Sequence, residues 1–230
     1  MTFCFAVAIV TYIYGASAKM VFKDYLILVL ISCLITFFAI KISNYYSQKV
    51  VKFNYYWLYL IFNFIVLYYC KINYQSLILP VFLVFCLTIC TEIDIRIMMI
   101  PRLVTLGAQI IAPFFCFFSN WPISFSDSIF SGLVAWSSMW LISYLFYLYK
   151  GEEGMGIGDA DLLAMIAAYL GLAASFRIIF GASMLGLVWT LANFIIYKKF
   201  SNKLPFGPFI SAGTALYLIN SNFFIQILGW

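Results

Sequence analysis

The chain has 230 residues, of which 66% are hydrophobic and only 9% are charged, and its formal net charge is +5. Soluble domains carry about 25% charged residues, so this composition excludes an ordinary soluble protein and indicates one that is embedded in a membrane. The sequence contains no histidine, which removes the commonest general base and metal ligand together with any Ser–His or Cys–His pair. A hydrolase of this composition has to use carboxylates, lysine or an unassisted nucleophile.

The apolar residues are grouped in blocks, a pattern typical of repeated bilayer crossings by helices of about 20 residues. In chain order the nine predicted spans are residues 3–18, 25–42, 54–70, 76–93, 100–118, 128–149, 160–176, 178–197 and 206–220. A last apolar stretch, 222–230, is too short to cross. We therefore predict an all-α bundle of eight to nine transmembrane helices that forms a single membrane-embedded domain over residues 1–230, with 1–87 as its N-terminal spans.

The first block and the distribution of positive charge decide the predicted topology. Ala16-Ser17-Ala18 resembles a signal-peptidase site, but the block lacks a basic start, so we predict a retained span. If the chain starts on the inside, the inner loops hold nine lysines and arginines and the outer loops four, which the positive-inside rule favours. The inner set is Lys41, Lys49, Lys52, Arg96, Arg102, Lys150, Lys198, Lys199 and Lys203, and the outer set is Lys19, Lys23, Lys71 and Arg177.

The six cysteines lie in or at the ends of apolar blocks and form no C-x-x-C pair. They are Cys4, Cys33, Cys70, Cys86, Cys90 and Cys116. This placement predicts small apolar residues in helix packing. We predict no metal site, no disulfide framework and no cofactor.

Carboxylates are the groups that this composition leaves for acid–base chemistry, and six of the eight acidic residues fall into two groups. They are Glu92 and Asp94 at the end of the fourth span, and Glu152, Glu153, Asp159 and Asp161 leading into the seventh. Because two complete spans separate the groups, the chain returns to the same side of the membrane, and Asp94 can meet Asp159. Two carboxylates in a partly dry site share one proton, so one activates a water while the other polarises a carbonyl.

Three glycines precede the second aspartate. Gly154, Gly156 and Gly158 remove side chains beside Asp159, which permits unusual backbone angles and lets an extended substrate segment approach the backbone. The alternative is a flexible turn between helices in which Asp159 is a helix N-cap.

The other acidic residues have more ordinary interpretations. Glu92 lies opposite the first aspartate on its helix, which favours a supporting or interfacial role. Glu152 and Glu153 either attract a basic substrate segment or belong to a solvated loop. Asp24 and Asp127 lie in predicted outer loops, where Asp127 is expected to cap a helix.

Three segments, in order over residues 88–215, resemble motifs of the type IV prepilin peptidases, which are intramembrane aspartyl proteases of the G-x-G-D class. They are residues 93–96 (Ile-Asp-Ile-Arg) with Ile100-Pro101 and residues 103–106, residues 155–164 with Leu170-Gly171, and residues 204–209 (Leu-Pro-Phe-Gly-Pro-Phe). Three matches in order are far more specific than a single G-x-G-D.

The resemblance implies that Asp94 and Asp159 are catalytic aspartates. It implies an endopeptidase that removes the short basic leader from prepilin or pseudopilin precursors of a type IV pilus or type II secretion system, on the cytoplasmic side of the inner membrane. The implied partners are the precursor protein and membrane lipid, without nucleic acid, metal or cofactor. Residues expected to contact the substrate are Gly156, Gly158, Glu152, Glu153, Pro205, Phe206, Gly207 and Pro208.

The chain also departs from the family pattern. It lacks the cytosolic insertion with paired C-x-x-C motifs, so N-methyltransferase activity is not expected. A lysine is usual where this chain has Asp161, an asparagine or aspartate where it has Arg102, and a glycine where it has Ala167. Asp161 is two residues beyond Asp159, about 200° around a helix, and so is not expected to replace it. A charge reversal beside the site is expected to change its pKa or its substrate.

Two other functions remain open at the level of the sequence. The exchanged residues at 102 and 161 are compatible with a catalytically silent relative that binds pilin-like proteins as an assembly factor. Membrane carboxylates also serve proton- or cation-coupled transporters. However, the chain shows no internal symmetry of the kind that transporter folds often have, and its acidic residues lie at the ends of spans.

Overall fold

The structure is a computed structural model that describes residues 22–47, 56–73, 77–118, 121–151, 156–198 and 204–220. Within these ranges the chain forms eight α-helices and no strand. They are α1 (Phe22–Ser47), α2 (Tyr56–Asn73), α3 (Ile78–Ile97), α4 (Arg102–Phe118), α5 (Phe125–Lys150), α6 (Ile157–Leu170), α7 (Leu172–Tyr197) and α8 (Gly207–Ile219). The predicted all-α bundle is confirmed. The predicted span 3–18 and the apolar stretch 222–230 lie outside the described residues.

Four of the described helices are long and apolar enough to cross a membrane. They are Asp24–Tyr46 within α1, Ile78–Ile97 (α3), Phe125–Lys150 (α5) and Leu172–Ile196 within α7. Helices α4 and α8 are apolar but shorter. The outward faces of α5 and α7 carry exposed apolar side chains such as Leu133 and Ile195, which suits contact with lipid. The chain is a multi-pass membrane protein, while these lengths do not establish the predicted number of eight to nine spans.

Helix α6 lies at the centre of the bundle, where it contacts α3, α4, α5, α7 and α8. Every residue from 160 to 169 is buried. The C-terminal half of α6 is fixed by three hydrogen bonds to its neighbours: Trp121 Nε1 donates to Tyr169 O (2.7 Å), Ser128 Oγ to Ala168 O (2.6 Å), and the Tyr169 hydroxyl to Ala108 O (2.9 Å). These bonds satisfy polar groups in an apolar interior, where an unpaired group is costly.

Helix α6 ends earlier than the sequence predicted. The predicted boundary between two spans lay beside Arg177, which was assigned to an outer loop, but the break occurs at Gly171 and Arg177 lies inside α7. Gly171 has φ 87° and ψ 164°, a conformation that favours glycine. The prediction was wrong because apolar residues continue across the break, so hydropathy does not reveal it.

Hydrogen bonds between helices also hold α1, α2 and α3 together. Asn63 on α2 accepts a hydrogen bond from Thr88 Oγ1 on α3 (3.1 Å) and donates one to Thr36 Oγ1 on α1 (3.3 Å). Such side-chain bonds are a common means of association between helices in a membrane. All five described cysteines are free, and four of them are buried, in agreement with a packing role.

The two predicted loop aspartates lie in first turns of helices. Asp24 is in the first turn of α1 rather than in a loop, because that helix begins earlier than its apolar block. Asp127 does take part in capping, but the N-cap residue of α5 is Ser124. The Ser124 hydroxyl accepts a hydrogen bond from the Asp127 backbone N–H (3.1 Å) and donates one to its carboxylate (2.7 Å), which is a reciprocal cap.

Candidate active site

Asp94 lies in the last turn of α3 and is 5% exposed. The helix ends three residues later at Ile97, because Met98 adopts a left-handed conformation (φ 53°) and its N–H donates to Asp94 O (2.8 Å). A short turn through Pro101 then leads into α4. This arrangement leaves the Asp94 side chain at the end of a helix, facing the start of α8.

The N-terminus of α8 supplies a direct partner for Asp94. The Gly207 N–H donates to Asp94 Oδ2 at 2.9 Å. The first N–H groups of a helix have no partner within the helix, and they carry a partial positive charge that favours a nearby anion. A Cβ on Gly207 would lie 2.8 Å from the same oxygen, so a larger residue would force the Asp94 carboxylate to move.

Gly207 therefore contacts the first aspartate itself, a role that the sequence did not specify. Sequence reasoning had assigned the Pro-Phe-Gly-Pro segment to substrate contact as a whole. The sequence feature that could have indicated this role is a glycine flanked by prolines, Pro205 and Pro208, at the start of a predicted span. Pro205 and Phe206 lie half-buried just before α8, and the Phe206 ring packs against Phe209 with the ring centroids 6.5 Å apart.

Asp159 lies half-buried in the first turn of α6. It is not the N-cap residue, because that position is occupied by Gly156. A Cβ on Gly158 would lie 3.0 Å from Ile100 Cβ, so this turn packs directly against the α3–α4 turn that follows Asp94. Two helices, α4 and α5, separate the aspartates along the chain. The structure thus brings both aspartates to the same end of the bundle.

The electrostatics of Asp159 also link it to Asp94. Burial raises the pKa of Asp159 from its usual 3.8 to about 7, the charge of Asp94 acts in the same direction, and a hydrogen bond with the Gly156 backbone opposes both effects. Since the charge on one carboxylate is felt by the other, the two titrate as a coupled pair. Below about pH 7 the raised pKa favours the protonated form of Asp159.

Asp161 belongs to a different part of the site. It is fully buried, and both of its carboxylate oxygens are bonded: Arg102 Nε donates to Oδ2 at 2.9 Å and Trp136 Nε1 donates to Oδ1 at 2.8 Å. The two exchanged positions therefore form one ion pair. Their reversed charges compensate each other, so neither exchange leaves an unpaired charge beside the aspartates.

Glu92 is directed away from the aspartates. It is buried, forms an ion pair with Arg96 through Nε (2.8 Å) and Nη2, and shares a hydrogen bond with the Tyr59 hydroxyl. Arg96 Nη1 in turn donates to Asn44 Oδ1 at 2.7 Å. This network joins α3 to α1 and α2, which is the supporting role that the sequence predicted.

Two further features complete the surroundings of the pair. Gly156 is exposed, and a Cβ there would lie 3.5 Å from Asp159 Oδ2, whereas Glu152 and Glu153 lie outside the described residues. An apolar groove of about 440 Å³ opens between α2, α3 and α8, and Thr91, Ile95 and Pro208 line it next to the first aspartate. Across the described ranges, no three His, Cys, Asp or Glu side chains are grouped as ligands for a metal ion.

Fold and site together define a multi-pass membrane protein with a candidate pair of aspartates at one end of its bundle. Residues 81–191 match the type IV leader peptidase family. The predicted resemblance to the type IV prepilin peptidases is therefore confirmed over this part of the chain. Both aspartates lie within the match, whereas Gly207 lies beyond it.

Several individual relatives also resemble the chain. A "Prepilin leader peptidase/N-methyltransferase" of Pectobacterium carotovorum subsp. carotovorum is 31% identical over 138 residues, which are 60% of this chain and 49% of that protein. Proteins with the same name from Dichelobacter nodosus (35% identical, 42% of this chain and 33% of the relative) and Neisseria gonorrhoeae (28%, 47% and 37%) are also similar. The chain thus spans about half the length of these relatives or less. No solved structure matches it.

Proposed function

We propose that this chain is an aspartic endopeptidase that removes the short basic leader from prepilin or pseudopilin precursors within the membrane. The single observation that carries the proposal is the coupled pair Asp94–Asp159, which lies inside the segment that matches the leader peptidase family. The name that the relatives share supports peptidase chemistry. We do not propose methyltransferase activity, because this sequence has no C-x-x-C pair.

In the proposed mechanism one aspartate acts as the general base and the other as the general acid. Asp94, whose carboxylate accepts the Gly207 N–H, takes a proton from a water as the water oxygen attacks the scissile carbonyl carbon. Asp159, with its pKa raised to about 7, holds the shared proton and donates it to the carbonyl oxygen. When the C–N bond breaks, Asp94 passes its proton to the leaving amine and Asp159 regains its own.

The proposed orientation places this pair on the cytoplasmic side of the inner membrane. The support is the excess of lysine and arginine in the loops on that side. The substrate is a precursor protein with a basic leader followed by an apolar segment, which Glu152 and Glu153 would attract by charge. We propose that the apolar segment lies in the groove between α2, α3 and α8, since Thr91 and Pro208 place that groove beside Asp94.

The test is a cleavage assay in detergent with a prepilin-like precursor. Wild type is expected to shorten the precursor, whereas Asp94→Asn and Asp159→Asn are expected to remain folded and leave it intact. Asp127→Asn is the matched control, because Asp127 lies in the first turn of α5, next to Ser128, which contacts the C-terminal end of α6 and not the end that holds Asp159. A variant of either aspartate that still cuts would remove that residue from the mechanism.

The assay also separates the two alternatives. A silent assembly factor would bind the precursor without cutting it, and a transporter would do neither. The silent alternative rested on the exchanged residues Asp161 and Arg102, and their mutual ion pair takes away that support. Wild type that is inert on several precursors would nevertheless overturn the peptidase proposal.

A further inference from the structure

We propose that Asp161, Arg102 and Trp136 form a positioning triad that fixes the first turn of α6 and thereby the carboxylate of Asp159. The inference rests on the proposed function and extends it to residues that do not touch the substrate. It concerns how the second aspartate is held in place against the first.

The triad joins three helices at the level of Asp159. Asp161 lies on α6 with no exposed surface, Arg102 is the first residue of α4, and Trp136 lies on α5. A buried carboxylate is tolerated when its oxygens are paired, and here each oxygen has one donor, at 2.9 Å and 2.8 Å. Removing one donor would leave a buried carboxylate with a single hydrogen bond, which is costly. The two bonds together therefore hold the first turn of α6 against α4 and α5.

The position of Asp161 makes it a positioning residue and not a catalytic one. It follows Asp159 by two residues, about 200° around the helix, and its oxygens are occupied by α4 and α5. On the other side of the same turn, Gly158 packs against Ile100. The α3–α4 turn therefore contacts the first turn of α6 through packing at Ile100 and through the ion pair at Arg102. A rotation of this turn would move Asp159 relative to Asp94.

The triad is not the only set of contacts that holds α6. Its C-terminal half is fixed by hydrogen bonds from Trp121 and Ser128 and from the Tyr169 hydroxyl. Loss of the triad is therefore expected to loosen only the first turn. If the triad only stabilised the fold in general, its loss would loosen the whole helix.

The test combines kinetics with hydrogen–deuterium exchange in detergent. Asp161→Asn and Arg102→Gln are expected to lower kcat by about 10- to 100-fold, because a displacement of about 1 Å at a catalytic group costs up to about a hundredfold. KM is expected to stay within about twofold. Amides of residues 158–162 are expected to exchange about tenfold faster, while those of residues 165–169 keep the wild-type rate.

Further variants separate the ion pair from its parts. Arg102→Gln combined with Asp161→Asn is expected to lose no more activity than either single change, since both remove one interaction. Arg102→Lys, which keeps the charge, is expected to restore most of kcat. Trp136→Phe removes the second donor and is expected to have a smaller effect of the same kind. Arg177→Gln, on α7, is the matched control. The amides of α6 are expected to exchange at the wild-type rate in this variant.

The exchange measurement tests the role of the triad even if no precursor is cut. Unchanged exchange in the Asp161 and Arg102 variants, or an equal increase along all of α6, would overturn the inference. Wild type that cuts normally while both variants keep wild-type kcat would overturn it as well. If wild type cuts nothing but the first turn alone loosens in the variants, the peptidase proposal fails and the role of the triad stands.

Discussion

The two aspartates have different hydrogen-bond partners, and the proposed mechanism gives them different roles on that ground. The Asp94 carboxylate accepts a backbone N–H at the start of a helix, an interaction that stabilises negative charge. Asp159 lies half-buried in the first turn of another helix, and its pKa is raised to about 7. A pair built in this way has one member suited to act as a base and one suited to hold a proton near neutral pH.

The raised pKa of Asp159 predicts that cleavage declines as the pH rises through about 7. Above that value Asp159 loses the proton that polarises the scissile carbonyl, so kcat/KM is expected to fall about tenfold per pH unit on the alkaline side. The measurement is the pH profile of cleavage by wild type. A profile that stays flat to about pH 9 would show that Asp159 does not supply the proton.

The same shift predicts how stability depends on pH. The folded-state pKa of Asp159 lies above its usual value of 3.8. Its contribution to the free energy of unfolding is therefore fully present below pH 3.8 and is lost as the pH rises through about 7. Asp159→Asn is expected to remove this part of the pH dependence of the melting temperature. Asp127→Asn should retain it, because Asp127 is exposed and belongs to a helix cap.

Gly207→Ala is predicted to abolish most of the activity without unfolding the protein. The new Cβ would lie 2.8 Å from Asp94 Oδ2, so the carboxylate has to move, and kcat is expected to fall by about a hundredfold. Gly107→Ala on α4 is the matched control, since nothing lies within 4 Å of its Cβ position. Cleavage by the Gly207 variant at the control's rate would show that this contact is not needed.

At the scale of single residues, the sequence was informative where a motif is local and silent where partners are distant. Asp94, Asp159 and the Pro-Phe-Gly-Pro segment were found because each stands in a short recognisable run. The pairing of Arg102 with Asp161 was missed, because residues 59 positions apart are joined only by the packing of α4 on α6. The donor role of Gly207 depended in the same way on the approach of α8 to α3.

At the scale of helices, apolar blocks located all eight described helices but placed some ends poorly. Helix α6 is buried on every side from residue 160 to residue 169, so it has no polar face to mark its boundaries. Its end is set by the backbone of Gly171 within a continuous apolar run. The Ser124 cap of α5 likewise depends on side-chain geometry that hydropathy does not report.

Gly171→Ala is predicted to destabilise the protein by about 1–3 kcal/mol, because an alanine is strained at such backbone angles. The residue has φ 87°, and its Cβ would also lie 3.3 Å from Ile123 Cδ1. The measurement is thermal unfolding in detergent, with Gly107→Ala as the helical control. Equal melting temperatures for the two variants would mean that the break between α6 and α7 tolerates an L-residue.

At the scale of the whole molecule, an apolar groove lies next to the pair of Asp94 and Asp159. The groove between α2, α3 and α8 has a volume of about 440 Å³, and its lining is almost entirely apolar. The aspartates stand where α3 ends and where α6 and α8 begin. The proposed substrate has a basic leader followed by an apolar segment. In the proposed complex the apolar segment lies in the groove, and the bond between the two parts lies beside Asp94.

This arrangement predicts that filling the groove weakens substrate binding and leaves the chemical step unchanged. Ala212 on α8 lines the groove, and Ala212→Phe would occupy space that the apolar segment needs. KM is expected to rise about tenfold, because loss of one or two buried methylene contacts weakens binding by about that factor. The value of kcat is expected to stay near that of wild type.

The control is Ala173→Phe on α7, where the same enlargement falls at an exposed position outside the groove. Unchanged KM is expected there, because the added ring faces the surroundings of the bundle. A second comparison uses a short leader peptide without the apolar segment. Its KM should be the same for wild type and Ala212→Phe, since it never enters the groove. If the groove variant impairs the short peptide as much as the full precursor, the added ring acts on the aspartate pair and the groove is not the binding site.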